Sequence, residues 1–179
     1  MKDKNITGIV FTEEQIKKRV SELASELNVD YADKRPILIS VLKGALYFTA
    51  DLTRQMTIPL NIELLEIDPL SSEDEANSGQ TGGVVKINKE LERSITGRHV
   101  IIVEDIIDTG LTLAYLLKTL SPCQPKSISV CVLLDCPSQR LVDLPIKYKG
   151  FEVSDGNLVG YGLDYKEDYR HLPYIARHL

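Results

Sequence analysis

The run Val103-Glu104-Asp105-Ile106-Ile107-Asp108-Thr109-Gly110-Leu111-Thr112 holds the densest chemistry in the sequence. It places three carboxylates between an apolar stretch and a segment of helical spacing. Gly110 permits a tight turn, and the free N–H groups of a helix start form an anion site that suits a phosphate. Thr109 and Thr112 add hydroxyl donors. Such a nest holds phosphate without any lysine, so an acidic chain can still bind an anionic ligand. Burying three acids together for stability alone is costly, because like charges and desolvation both oppose ionisation. They make better sense against a hydroxyl-rich or metal-bound ligand. Glu104 and Asp105 then accept from a ribose diol, while Asp108, nearer the phosphate nest, serves as a general base. An acidic loop that only caps a helix uses the same residue types and stays open as an alternative here. Asp108-Thr109-Gly110 also matches half of an aspartic-protease site, but the residues after Gly110 are helical in pattern and no second Asp-Thr-Gly occurs.

The elements that must position these groups are legible from periodicity. Thr12 and Gln15 have the spacing of a capping box, and Ile16, Val20, Leu23, Ala24 and Leu27 follow a helix. Ile37 to Leu42 is a short apolar run that reads as a buried strand, and Lys43-Gly44 ends it. Ala45, Phe48 and Leu52 predict a helix that stops before Pro59. Further strands are predicted at Ile62–Ile67, Val84–Ile87, His99–Val103, Ser127–Leu134, Lys147–Val153 and Leu158–Tyr161. Leu113, Leu116, Leu117 and Leu120 mark a third helix. Residues 68–83 are polar and turn-rich, the kind of long loop that serves as a lid or binding loop. Strands alternating with helices predict an α/β fold with a mostly parallel sheet covered on both faces. Ligands of such sheets bind at the carboxyl ends of the strands.

The remaining arithmetic sets bounds. The chain has 179 residues, with 21 Lys+Arg against 26 Asp+Glu and a net charge of −5. That length reads as one domain over residues 1–179. A pI near 5.3 argues against a sequence-general nucleic-acid binder. No apolar run approaches the roughly 18–20 residues of a membrane span, and the first residues lack the apolar core of a signal peptide, which predicts a cytoplasmic protein. Cys123, Cys131 and Cys136 match no zinc spacing, and His99, His171 and His178 are too scattered for a triad or a metal cluster.

The run Val103–Thr112 resembles the phosphoribosyl-pyrophosphate (PRPP) motif of type I phosphoribosyltransferases, and its wording is most similar to the hypoxanthine(-guanine) phosphoribosyltransferases. Two further segments resemble that subfamily in order: Val41-Leu42-Lys43-Gly44-Ala45, and Val159-Gly160-Tyr161-Gly162-Leu163-Asp164-Tyr165 followed by Tyr169-Arg170. The resemblance implies a Rossmann-like fold with a small hood and a flexible lid loop. It implies purine salvage: a 6-oxopurine base (hypoxanthine, guanine) and PRPP give nucleoside monophosphate and pyrophosphate, with Mg²⁺. By resemblance, Glu104 and Asp105 hold the ribose hydroxyls and the backbone of Asp108, Thr109, Gly110, Leu111 and Thr112 cradles the 5′-phosphate. Asp108 takes the purine proton. Lys43, Gly44 and Arg170 bind pyrophosphate, the Leu42–Lys43 peptide is cis, and Asp164 holds the metal with Glu104 and Asp105. A homodimer or homotetramer is implied as well.

The base half departs from the family pattern. Cys136 stands where the family has a lysine that donates to the purine 6-oxo group, and a thiol is a weak, uncharged donor. Leu158 is aligned with the aromatic ring that stacks on the base, and by resemblance the retained Val159 offers main-chain groups to the base edge. The lid's Ser-Tyr pair is missing between Asp68 and Gly83, and Glu73-Asp74-Glu75 falls near its place. These departures leave as alternatives a phosphoribosyltransferase of altered base specificity and a catalytically weak PRPP- or nucleotide-binding regulator.

Overall fold

Thr12 starts the first helix as its spacing predicts. Its hydroxyl accepts from Gln15 N at 3.3 Å, and Gln15 Oε1 accepts from Thr12 N at 2.9 Å, so the capping box is closed from both sides. The helix α1 runs Glu13–Asp30 and buries Ile16, Val20, Leu23, Ala24 and Leu27 along one stripe. The computed structural model describes residues 6–69, 85–89 and 91–179. Within them lie nine strands: β1 (Ile6–Phe11), β2 (Ile37–Leu42), β3 (Asn61–Pro69), β4 (Val85–Lys89), β5 (His99–Ile107), β6 (Ser127–Asp135), β7 (Tyr148–Glu152), β8 (Leu158–Val159) and β9 (Ile175–His178). Two more helices follow β2 and β5: α2 (Leu46–Gln55) and α3 (Leu111–Leu120). The acidic tip Glu73-Asp74-Glu75 and most of the expected lid loop lie outside the described residues.

The main sheet has the order β4-β3-β2-β5-β6-β7, with β3, β2, β5, β6 and β7 parallel and β4 antiparallel at one edge. Its inner strands are apolar on both faces, as covered parallel strands must be. Leu38, Ile101, Val103, Cys131 and Leu133 pack with α1 and α2 on one side. Ile37, Ile39, Val100, Ile102, Val130 and Val132 pack with α3 on the other. Chain order reverses between β2 and β5, since β2 leads to β3 on one side while β5 leads to β6 on the other. A crevice opens at such a switch point, beyond the carboxyl ends of the strands.

The structure differs from expectation at three places. β5 continues four residues past Val103, because Glu104, Ile106 and Ile107 pair in register with Val132, Leu134 and Asp135 of β6. Two acids at a strand end look like a loop in a hydropathy pattern, yet they sit within the ladder. β8 stops at Val159, since Gly160 at φ 99° and Tyr161 at φ 50° leave extended geometry. A three-stranded antiparallel sheet, β1-β9-β8, was not predicted. It pairs Ile6 with His178, and much of β1 is exposed, so its residues carry little burial pattern.

Two substitutions separate packing from capping. Phe48 is fully buried under the main sheet, so Phe48→Ala is expected to cost about 3–5 kcal/mol in urea unfolding. Thr12→Ala, which opens the capping box, is expected to cost about 1 kcal/mol. Similar losses for the two would show that α2 is not held chiefly by its apolar contacts.

Candidate active site

Three chain segments meet at the switch point with no space for a Cβ between them. A Cβ added to Gly44, just after β2, would stand 1.7 Å from Asp105 Oδ2, and one added to Gly162 would stand 2.0 Å from the Gly44 carbonyl oxygen. Gly162 also has φ 102°, which L side chains rarely adopt. Next to Gly44 the Leu42–Lys43 peptide is cis, as expected. The segment after β8 is anchored by Tyr161, whose hydroxyl donates to Asp51 of α2 at 2.8 Å.

Around this junction lies a cavity of about 450 Å³. Its wall includes Lys43, Gly44, Glu104, Asp105, Asp108, Gly110, Thr112, Asp164 and Arg170 from the predicted set, together with Glu66, Ile106 and Glu167. Thr109 and Leu111 sit between wall residues without lining it themselves. α3 begins at Gly110, held at φ 81°; the Thr109 hydroxyl accepts from Leu111 N at 3.4 Å, and Thr112 and Leu113 after it line the cavity. Its first N–H groups therefore face the cavity end of β5 as an anion site. Asp108 is exposed, with Oδ1 accepting from Thr109 N at 2.5 Å and from the Thr109 hydroxyl at 3.3 Å.

The turn 107–109 is tied to the chain after β6. Cys136 N donates to Ile107 O at 2.9 Å, and Leu141 N donates to Thr109 O at 2.9 Å. Arg140 Nε donates to Asp108 O at 3.0 Å. The same guanidinium contacts the buried Asp135 carboxylate, whose other oxygen is 3.0 Å from Lys149 Nζ. Arg140 thus joins a core ion pair to the backbone of the candidate base, a role that a lone arginine in the sequence does not advertise.

The acids are electrostatically strained, and the cations are not free. Glu104 is buried, and desolvation, then Asp105 and Asp108, raise its pKa well above the carboxylate range. Burial likewise pushes Asp105 up to about 6, partly offset by hydrogen bonds from the Ile106 and Asp105 N–H groups and by Arg170. Asp164 Oδ1 lies 2.9 Å from Arg170 Nη2, and its Oδ2 accepts from Glu167 N at 2.8 Å. Among the described residues no group of three or more His, Cys, Asp or Glu could hold a metal by itself. Hard carboxylate oxygens that resist ionisation do fit a magnesium ion taking its other ligands from substrate and water.

The three expected base-side residues are not in this wall. Cys136 is fully buried, with Sγ 3.6 Å from Ser138 Oγ. Leu158 and Val159 are buried in the small sheet, and Leu158 lines a separate 180 Å³ cavity with Phe11 and Val153. A residue that covers a ring must show itself to the ligand. In this structure Asn157 and Gly156, one and two positions before Leu158, are the exposed ones. Both residues of β8 are buried where it pairs with β9, a distant partner that local spacing does not reveal.

Comparison with known proteins places these features in a family. The phosphoribosyl transferase domain model matches residues 8–166. The chain is 45% identical over 172 residues to a hypoxanthine-guanine phosphoribosyltransferase of Bacillus subtilis, covering 96% of this chain and 93% of that protein. It is 39% identical to the hypoxanthine phosphoribosyltransferase of Escherichia coli, covering 97% and 96%. Among solved structures, a hypoxanthine-guanine phosphoribosyltransferase of Bacillus anthracis superposes with a TM-score of 0.88 at 39% identity, covering 98% of both chains. The Trypanosoma cruzi hypoxanthine phosphoribosyltransferase in complex with the product IMP superposes with a TM-score of 0.90 at 34% identity, covering 100% of this chain and 97% of that one.

Two outcomes test the geometry. Gly162→Ala, which drives a Cβ into backbone at positive φ, is expected to cost at least about 2 kcal/mol of stability. Gly44→Ala needs only the Asp105 carboxylate to move, so in urea unfolding it should cost clearly less. Equal losses would mean that the Asp105 side chain cannot yield. The second outcome concerns pH. A carboxyl with a higher pKa folded than unfolded leaves the native state holding the extra proton, so stability falls as pH rises between the two values. For Asp105 that window runs from 3.8 to about 6. His99 opposes it, since burial lowers its pKa and stability rises as it deprotonates. Urea unfolding of the ligand-free protein between pH 5 and 7.5 should therefore show a contribution on the order of 1 kcal/mol, falling with pH, that Asp105→Asn removes. Parallel pH curves for the two proteins would contradict the assignment.

Proposed function

This chain belongs to the phosphoribosyltransferase family, and on that premise we propose that it transfers the phosphoribosyl group of PRPP to a 6-oxopurine base, giving nucleoside monophosphate and pyrophosphate. The observation that carries the reading is one cavity in which an acidic strand end, a helix N-terminus and two cations face one another. Each suits one part of PRPP: carboxylates for the ribose diol, N–H groups for the 5′-phosphate, and Lys43 and Arg170 for the pyrophosphate.

In the reaction the bond from ribose C1 to pyrophosphate breaks, and a bond from C1 to a purine ring nitrogen forms. Positive charge develops on the sugar, and negative charge develops on the leaving group. Glu104 and Asp105, next to the ribose, stabilise the former when ionised, and Arg170 and Lys43 stabilise the latter. Asp108 accepts the proton that the ring nitrogen loses. Its Oδ1 bonds to Thr109, and the Arg140 bond to its carbonyl, fix its position. Asp164, with Glu104 and Asp105, would hold Mg²⁺, which supplies charge neutralisation at the pyrophosphate oxygens. The alternative of a regulator without catalysis gains nothing from the relatives named above, all of which are named as transferases. Arrangement as a homodimer or homotetramer is part of the proposal, and light scattering of the purified protein checks it.

The test is incubation with PRPP, Mg²⁺ and hypoxanthine, guanine, xanthine, adenine or uracil, following monophosphate formation. Product with a 6-oxopurine is expected, and Asp108→Asn should slow turnover by about 10²-fold or more. No product with any base would overturn the function. A full rate in Asp108→Asn would remove Asp108 as the base.

A further inference from the structure

Both cations of the cavity are already engaged by one carboxylate. Lys43 Nζ is 3.0 Å from Glu167 Oε2, and Arg170 Nη2 is 3.1 Å from Glu167 Oε1. Each oxygen of Glu167 therefore takes one cation, bridging the loop after β2 and the segment after β8. The bridge is exposed, with the Lys43 and Glu167 side chains 57% and 64% accessible, so it is the kind of ion pair that exchanges readily. The backbone delivers the carboxylate by an uncommon route. Lys166, Glu167 and Tyr169 all have positive φ, at 53°, 70° and 75°, and the turn is closed by hydrogen bonds between Tyr165 and Asp168 and by Glu167 N on Asp164. A two-oxygen anion spanning two cations has the charge pattern of the pyrophosphate those cations are proposed to bind.

We propose that Glu167 sets the affinity of the site for pyrophosphate by occupying Lys43 and Arg170 when the ligand is absent. PRPP must displace it to bind, and its return competes with the pyrophosphate product. Glu167 is then a positioning residue that weakens ground-state binding of the diphosphate and hastens product release. The inference rests on the functional reading given above.

The test compares wild type with Glu167→Gln by calorimetric titration of inorganic pyrophosphate in the presence of Mg²⁺, and by steady-state kinetics with PRPP and the best base. Glu167→Gln should bind pyrophosphate about three- to tenfold tighter and lower KM for PRPP by a similar factor. Pyrophosphate should also become the stronger product inhibitor. Asp168→Asn serves as the charge control, since Asp168 is exposed and has no ion pair among the described residues. It should leave pyrophosphate affinity unchanged. A double-mutant comparison adds geometry: Lys43→Met should cost more pyrophosphate affinity in the Glu167→Gln background than in wild type, because there the lysine has no internal partner to lose. Unchanged or weaker binding by Glu167→Gln, or an equal gain in Asp168→Asn, would overturn the proposal. A wild-type protein that forms no monophosphate and binds no pyrophosphate would bring down the functional reading itself. One that does both, while Glu167→Gln binds no tighter, removes only the role of Glu167.

Discussion

Gly162, Gly44 and Asp105 stack at the point where the sheet changes direction, backbone against backbone against carboxylate. A single methyl group at either glycine would collide with the layer beneath it. Because these layers come from three distant parts of the chain, their contact fixes the relative positions of the loop after β2, the end of β5 and the segment after β8. Each brings a different functional group: Lys43 on the first, Glu104 and Asp105 on the second, Asp164 and Arg170 on the third. The cavity takes its shape from this contact, and the core beneath supplies the stiffness. The strands carrying the first two groups are buried between α1 and α2 on one face and α3 on the other. Burial on both faces leaves a strand end little freedom to shift.

The electrostatics follow from the same geometry. Acids brought together at a low-dielectric strand end resist ionisation, and nearby cations are drawn into internal pairs. Glu104 and Asp105 are raised, while Glu167 is held below the ordinary range by Lys43 and Arg170. A site of this kind stores unfavourable charge on one side and satisfied charge on the other. Net charge alone, −5 over the chain, conveys none of that division. It arises from which carboxylates meet solvent, which meet cations and which meet only one another.

Much of this was legible in the sequence because it depends on local chemistry. The capping box at Thr12, the buried stripe of α1, the apolar run of β2 and the glycine turn at Gly110 each need only a few neighbouring residues. What was not legible depends on register or distant pairing. The acids of β5 look like a loop until β6 lies beside them. β1 and β9 are short or exposed and become strands only because they pair with each other. Leu158 was expected to face a ligand and is buried instead, while its exposed neighbours are Asn157 and Gly156. Leu158 and Val159 are both buried where β8 lies beside β9, a pairing that leaves no mark in local spacing. The role of Arg140 was hidden for the same reason, since its partners Asp108 and Asp135 converge only after folding.

The pairing of β1 with β9 has a bearing on how the molecule comes into being. Ile6 lies opposite His178, and Phe11 opposite Ile175. A ribosome releases β1 first, yet its partner emerges some 170 residues later. In the interval the small sheet cannot form, and β8 has no neighbour either. The main sheet has no such wait, since β2 through β7 emerge with their partners nearby. Synthesis therefore divides into an early scaffold and a late clasp, and the clasp arrives together with Asp164 and Arg170. The nascent protein can build the turn at Gly110 and present Lys43 well before it acquires Asp164 and Arg170.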